Sequence, residues 1–63
     1  MKAEWVTLID GFEVEVGCAN CRHRPMISEK LPEVCGGCGA EMEDRTDVTM
    51  QYNKNEGWVF MDE

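Results

Sequence analysis

The chain has 63 residues, of which 43% are hydrophobic and 30% charged, and its net charge is −7. This composition excludes a disordered tail, and a single domain, 1–63, is too small to enclose a substrate pocket, so we expect neither enzymatic activity nor a small-molecule substrate. No apolar run approaches the roughly 20 residues of a membrane span, and no signal-peptide pattern opens the chain, so we expect a cytoplasmic protein that does not enter a membrane.

Residues 1–17 predict a β-hairpin. Residues 4–9 are apolar or β-branched, and residues 12–16 alternate between apolar and acidic side chains. Asp10-Gly11 lies between these segments and is a strong signal for a two-residue turn, which would pair Ile9 with Phe12. On the ribbon, one face combines apolar and acidic side chains and is expected to stay partly hydrated: Val6, Leu8, Glu13 and Glu15.

The cysteine pattern is the most specific feature of the sequence. Cys18 and Cys21 form one Cys-x-x-Cys pair, and Cys35 and Cys38 form a second pair after 13 intervening residues. Each pair directs two thiolates at one point, and two pairs complete a tetrahedral Zn²⁺ site. We therefore expect residues 18–42 to form two zinc knuckles around one structural Zn²⁺, with at most one helical turn, at 28–31.

Other uses of four cysteines fit this spacing less well. Two disulfides need an oxidising compartment, a redox dithiol needs a helix after one pair, and a catalytic zinc leaves one ligand position to water. Iron in the same cage would give rubredoxin-like electron transfer. His23 has the chemistry to replace one cysteine, but with four thiolates present we expect three side chains to surround the metal centre without binding the ion: Arg22, His23 and Arg24.

Residues 46–63 predict a second hairpin. Residues 46–52 alternate in polarity, a polar loop follows at 53–57, and an apolar segment follows at 58–61. The expected fold is therefore a small metal-stabilised β domain with two zinc knuckles, two hairpins, about four strands and little or no helix.

The segment Cys18–Met42 resembles a zinc ribbon, and the chain is similar to short, largely uncharacterised zinc-ribbon proteins of phages and mobile elements of Gram-positive bacteria. The matching residues are Glu4-Trp5-Val6, Cys18-Ala19-Asn20-Cys21 and Leu31–Met42. The sequence departs from that pattern at Arg22, where Gly is usual, and at Gly36, where Pro is frequent. The resemblance implies the metal, the fold and a phage or mobile-element origin, but no activity.

Three functions remain open. The first is a non-enzymatic zinc-binding module that mediates protein–protein interaction. The second is an acidic nucleic-acid mimic, of anti-CRISPR or transcription-inhibiting type, that binds a basic nucleic-acid-binding protein of the host. The third is a nucleic-acid-binding zinc ribbon, which the negative charge disfavours. The candidate partner-binding residues are the acidic and aromatic side chains of the C-terminal third: Glu41, Glu43, Asp44, Asp47, Trp58 and Phe60.

Overall fold

The fold is one four-stranded sheet, seen in a computed structural model that describes residues 1–26 and 30–61. Its strands are β1 (Lys2–Asp10), β2 (Glu13–Cys18), β3 (Glu41–Asn53) and β4 (Gly57–Phe60), in the spatial order β2-β1-β3-β4. Two antiparallel hairpins, β1–β2 and β3–β4, confirm the predicted small β fold. The predicted helical turn at 28–31 lies partly outside the described residues. Within the described ranges, no helix is long and apolar enough to cross a bilayer.

The turn of the first hairpin differs from the prediction by one residue. Asp10 pairs with Glu13 and Ile9 with Val14, so the two-residue loop is Gly11-Phe12 and not Asp10-Gly11. Gly11 has a φ of 62°, whereas Phe12 has no positive φ. A turn with a positive φ at its first central residue needs only one glycine, whereas the predicted turn type would also force Asp10 into that region. Phe12 is therefore in the turn and fully exposed.

A parallel pairing of β1 with β3 joins the two hairpins. It runs from Lys2 opposite Glu41 to Ile9 opposite Gln51. Parallel neighbours need a long crossover connection, and the knuckle segment between β2 and β3 supplies it. The register shifts between Trp5 and Thr7, where residues 45–48 of β3 lie opposite the single residue Val6 and form a bulge.

Side-chain hydrogen bonds hold this bulge in place. The Thr7 hydroxyl donates to the Thr46 carbonyl at 2.8 Å. The Asp44 carboxylate accepts from the Thr46 amide at 3.2 Å and from the Thr46 hydroxyl at 3.1 Å. The bulge is therefore a hydrogen-bonded part of β3 that is attached to the neighbouring strand β1.

The core consists of two clusters on opposite faces of the sheet. Trp5 packs with Cys18 and Cys35 on the face that the knuckles cover. On the other face, Val6 and Leu8 pack with a group from β3, β4 and the first knuckle: Val48, Met50, Trp58 and Ala19. On this face Val6 and Leu8 are almost completely buried, whereas Glu13 and Glu15 are exposed, so the face is partly hydrated as expected. The neighbouring strand β3 provides the side chains that cover Val6 and Leu8.

Candidate metal centre

The first knuckle begins where β2 ends. The Cys18 amide donates to the His23 carbonyl at 2.9 Å, and the Arg22 amide donates to the Cys18 carbonyl at 2.8 Å. The Asn20 amide points at the Cys18 sulfur, at 3.4 Å. Arg22 has a φ of 63°, which costs a side-chain-bearing residue roughly 1–2 kcal/mol. The chain thus turns sharply enough to aim Cys21 and Cys18 at the same point.

The second knuckle repeats these hydrogen bonds. The Cys35 amide donates to the Ala40 carbonyl at 2.9 Å, and the Gly39 amide donates to the Cys35 carbonyl at 2.9 Å. The amides of Gly37 and Cys38 point at the Cys35 sulfur, at 3.3 and 3.5 Å. Gly39 has a φ of 75° and so occupies the position that Arg22 occupies in the first knuckle. The two knuckles are therefore equivalent in backbone structure.

The two knuckles bring the four cysteine sulfurs together. All four Sγ atoms lie within 4.8 Å of one another, and all four cysteines are free. The Cys18 and Cys38 sulfurs are 3.8 Å apart, and those of Cys21 and Cys35 are 3.5 Å apart. Four thiolates around Zn²⁺ at about 2.3 Å form a tetrahedron with edges of about 3.8 Å. The sulfur positions therefore fit one tetrahedral metal ion with four protein ligands.

Hydrogen bonds prepare two of these thiols for deprotonation. The Asn20 side chain and the Ala40 amide donate to the Cys38 sulfur and lower the pKa of Cys38 to about 6. Burial opposes deprotonation of Cys35, but the amides of Cys38 and Gly37 outweigh it and lower the Cys35 pKa overall. Asn20 was not among the candidate site residues; its place inside the first Cys-x-x-Cys pair is the signal that could have identified it.

The pKa of Cys21 is shifted in the opposite direction. The His23 amide donates to its sulfur and lowers the pKa, but desolvation and the three neighbouring thiols outweigh this bond and raise the pKa of Cys21 to about 12. Cys38 is therefore the first of these two thiols to become a thiolate, and an incoming metal ion must displace the proton of Cys21.

Metal affinity should consequently depend on pH. Protons compete with the metal for every sulfur, so the affinity falls as the pH falls. Below about pH 6 the Cys38 thiol also holds a proton in the metal-free protein. Metal binding then releases about one more proton per ion, so the affinity should fall more steeply with pH in this range. Competition with a chelator at several pH values measures this dependence. An affinity that is constant between pH 8 and 5 would contradict thiolate ligation.

The three residues expected around the metal have different environments. The Arg22 guanidinium folds back onto the first knuckle and donates to the carbonyls of Ala19 and Asn20. His23 is exposed, and its carbonyl and amide, rather than its ring, take part in the knuckle. Arg24 points away from the sulfurs and forms an ion pair with Glu15 of β2.

Close packing between the knuckles requires glycine at position 37. A Cβ atom there would lie 2.8 Å from the His23 Cβ and 2.9 Å from the Cys21 sulfur. At the neighbouring Gly36, a Cβ would lie 3.2 Å from the His23 ring, which can rotate away. We expect Gly37→Ala to weaken metal binding at least tenfold and Gly36→Ala to leave it nearly unchanged, measured by chelator competition. Equal losses of metal affinity in both variants would show that the contact between a Cβ at position 37 and the Cys21 sulfur does not determine the affinity.

The candidate partner-binding acids do not form one row. Glu41 and Glu43 lie on the face of β3 that also carries Glu4, which pairs with Glu43. Asp44 lies on the opposite face, beside Lys30 in a groove next to Trp5. Asp47 is in the bulge, where its carboxylate is 3.7 Å from Arg45.

The aromatic candidates lie together at the far edge of the sheet. Trp58 is half-buried and contacts Tyr52 edge-to-face, with 5.6 Å between ring centroids. Phe60 is 55% exposed and follows Trp58 on the same face of β4. We call Tyr52, Trp58 and Phe60 the aromatic patch.

Comparison with known proteins does not extend this description. No protein-family model, curated protein or solved structure matches the chain. The assignment of a metal centre therefore depends on the geometry and chemistry of the four cysteines themselves.

Proposed function

We propose that this protein is a zinc-stabilised, non-enzymatic module that binds a protein partner. The observation that supports this proposal is the set of four cysteine sulfurs within 4.8 Å of one another. Four thiolates satisfy a tetrahedral ion completely and leave no position for water or substrate, as in structural zinc sites. Because thiolate ligands require a reducing environment, we propose the cytoplasm as the compartment.

The ligand set suits zinc better than the alternatives. Tetrahedral thiolate sites select Zn²⁺ or iron among the common metals. The resulting centre would carry two negative charges, which the amide–sulfur hydrogen bonds of both knuckles and the nearby Arg22 would stabilise. When bound, the metal would supply folding free energy rather than reactivity.

Cobalt substitution tests whether the metal ion has an open coordination position. Co²⁺ in a tetrahedral thiolate site absorbs visible light, and its spectrum changes when a further ligand enters. The spectrum of the Co²⁺-loaded protein should be unaffected by azide or imidazole. A spectral change at millimolar azide would reveal an open position and contradict a purely structural metal.

The aromatic patch supports binding to a protein. Phe60 leaves more than half of its surface in water, so much of its apolar area is not used in the core. Exposed aromatic side chains next to a packed pair are typical of the centres of protein interfaces. The patch also lies on the β3–β4 hairpin, away from the knuckles, so a partner could bind there without disturbing the metal.

Partner binding can be tested with matched apolar variants. The tagged, metal-loaded protein is used to capture proteins from the cells that produce it, and recovery is quantified by mass spectrometry. Phe60→Ser should reduce recovery of the partner at least tenfold. Met26→Ser is the control, because Met26 is 95% exposed and lies outside the patch. Recovery of no protein above the tag alone would contradict the proposal.

An acidic inhibitor is the second candidate, and the net charge of −7 favours it. Glu4, Glu41 and Glu43 lie on one face and could contact a basic groove. Reversal of Glu41 and Glu43 to Lys should then abolish binding while zinc content and melting stay unchanged, because neither carboxylate bonds to another part of the described chain. Binding that persists at the same salt concentration would eliminate this candidate. Direct nucleic-acid binding is less well supported, because Arg22 and Arg24 are already engaged within the chain.

A further inference from the structure

Strand β2 has a free backbone edge beside the first knuckle. In an antiparallel pair, the backbone groups of alternate residues point away from the partner strand. The Cys18 amide and carbonyl point outward, because they bond to His23 and Arg22 in the knuckle. By alternation, the amides and carbonyls of Val16 and Val14 point outward too. In the part of the chain that the structure describes, these groups have no hydrogen-bond partner.

A groove lies directly beside this edge. It has a volume of about 420 Å³ and is lined by side chains of β1, β2 and the segment after the first knuckle: Thr7, Val14, Glu15, Val16, Arg24 and Pro25. Val14 is 64% exposed, so its apolar side chain is accessible to a partner at this groove. The edge therefore combines unpaired backbone groups with the exposed side chain of Val14 and the half-buried side chain of Val16.

The two faces of β2 carry different side chains, apolar on one face and acidic on the other. Val14 and Val16 face the groove, whereas Glu13 and Glu15 alternate with them and are exposed. A strand added to this edge would place its own alternate side chains against these two rows. Apolar side chains would complement the valines, and basic side chains would complement the glutamates in a protein whose net charge is −7.

We propose that the β2 edge binds an extended segment of a protein partner in which apolar and basic residues alternate. The segment adds a fifth strand to the sheet, hydrogen-bonds to Val14 and Val16, and inserts an apolar side chain into the groove. This proposal rests on the proposed function only in that the partner is a protein.

Glu15 and Arg24 form an ion pair at the β2 edge. The Glu15 side chain reaches around β2 to Arg24, and both side chains remain about half exposed. Exposed ion pairs are weak, and charged side chains commonly protect open strand edges from unwanted pairing. A basic side chain of the partner can replace Arg24 at Glu15, so the ion pair favours basic segments over neutral ones.

A second copy of this chain fits the edge poorly. The antiparallel pairing of two copies that uses the free groups of both Val14 and Val16 places Glu15 opposite Glu15 of the other copy. Like charges directly opposite each other destabilise a strand pair. The edge therefore favours a basic partner over self-association.

The test uses a defined peptide and the zinc-loaded protein labelled with ¹⁵N. The probe is the capped peptide Thr-Val-Lys-Val-Lys-Val-Thr. One control peptide replaces both Lys by Glu, and the other has the same composition with the Lys residues adjacent. The probe should shift the amide signals of Val14 and Val16 and slow their hydrogen exchange. Neither control should bind within tenfold of the probe.

Two variants change the β2 edge without removing a hydrogen bond of the sheet. Val14→Pro removes an outward amide without removing a ladder hydrogen bond, so an edge strand tolerates it, and it should weaken probe binding at least tenfold. Val14→Lys keeps the amide but places a positive charge against the basic peptide, and should weaken binding similarly. Gln51→Lys, an exposed change on β3, is the control and should have no effect.

The outcomes distinguish this proposal from the proposed function. Any of three results would overturn the edge proposal. The probe peptide could shift the amide signals of the aromatic patch instead of those of β2, the peptide with adjacent Lys residues could bind as tightly as the probe, or sedimentation could show that the protein dimerises through β2. Partner capture that depends on Phe60 would still support the module in all three cases. Loss of partner capture in Val14→Pro, with zinc retained, would support both.

Discussion

Cys35→Ser is expected to leave the protein unfolded at neutral pH, even with Zn²⁺ in excess. The Cys35 side chain is 1% exposed and packs with Trp5 and Cys18 in the core beneath the knuckles. Structural Zn²⁺ supplies roughly 10–16 kcal/mol of apparent binding free energy, whereas the net stability of a domain is only about 5–15 kcal/mol. Loss of one thiolate therefore removes more than the remaining core can replace. Near-ultraviolet circular dichroism and amide signal dispersion measure the loss of packing.

Cys21→Ser separates ligand loss from core loss. Cys21 is exposed, so its replacement removes a ligand without disturbing the core. If metal binding folds the protein, both variants should unfold and lose their metal. If Cys21→Ser stays folded without bound metal while Cys35→Ser does not fold, burial of Cys35 would be the important factor and the metal would be dispensable.

Trp5→Ala should destabilise the protein by about 3–5 kcal/mol, the usual cost of replacing a buried Trp by Ala. Trp5 is 1% exposed and is the largest fully buried side chain. Its indole Nε1 donates to the Pro32 carbonyl at 2.7 Å and so links β1 to the segment before the second knuckle. We expect the variant to be largely unfolded at 37 °C, as measured by the fluorescence of the remaining Trp58 during urea unfolding.

Trp5→Phe isolates the hydrogen bond within this effect. Phe retains most of the buried ring but leaves the Pro32 carbonyl without the indole donor, which typically costs about 1–3 kcal/mol. Urea unfolding should show an intermediate loss, with metal still bound. A variant as stable as the parent would mean that the bond to Pro32 does not help to position the second knuckle.

The hairpins and the cysteine cluster could be predicted because their signals are local. Alternating polarity, a glycine-containing turn and two Cys-x-x-Cys pairs each lie within a few residues of one another. The parallel pairing of β1 with β3 has no such signal, since it joins Lys2 to Glu41 across the whole knuckle segment. This long-range pairing buries Val6 and Leu8, so their complete burial could not be derived from the first hairpin alone.

The clustering of the four cysteines was easier to predict than the residues that position them. Arg22 departs from the expected glycine, yet it adopts the same positive φ as Gly39, and its guanidinium bonds to the knuckle it closes. The need for glycine at position 37 depends on contact between the two knuckles, which the sequence does not encode locally. The acidic residues of β3 look continuous in the sequence, but strand alternation and the bulge distribute them over two faces.

The metal content of the folded protein tests the central claim most directly. Native mass spectrometry of protein purified without added metal, combined with elemental analysis, should find one Zn²⁺ per chain and no reactive thiols before denaturation. Denaturation with a chelator should release the zinc and expose four titratable thiols. A folded protein that contains no metal and whose four thiols react freely would contradict the claim, as would one iron per chain in place of zinc.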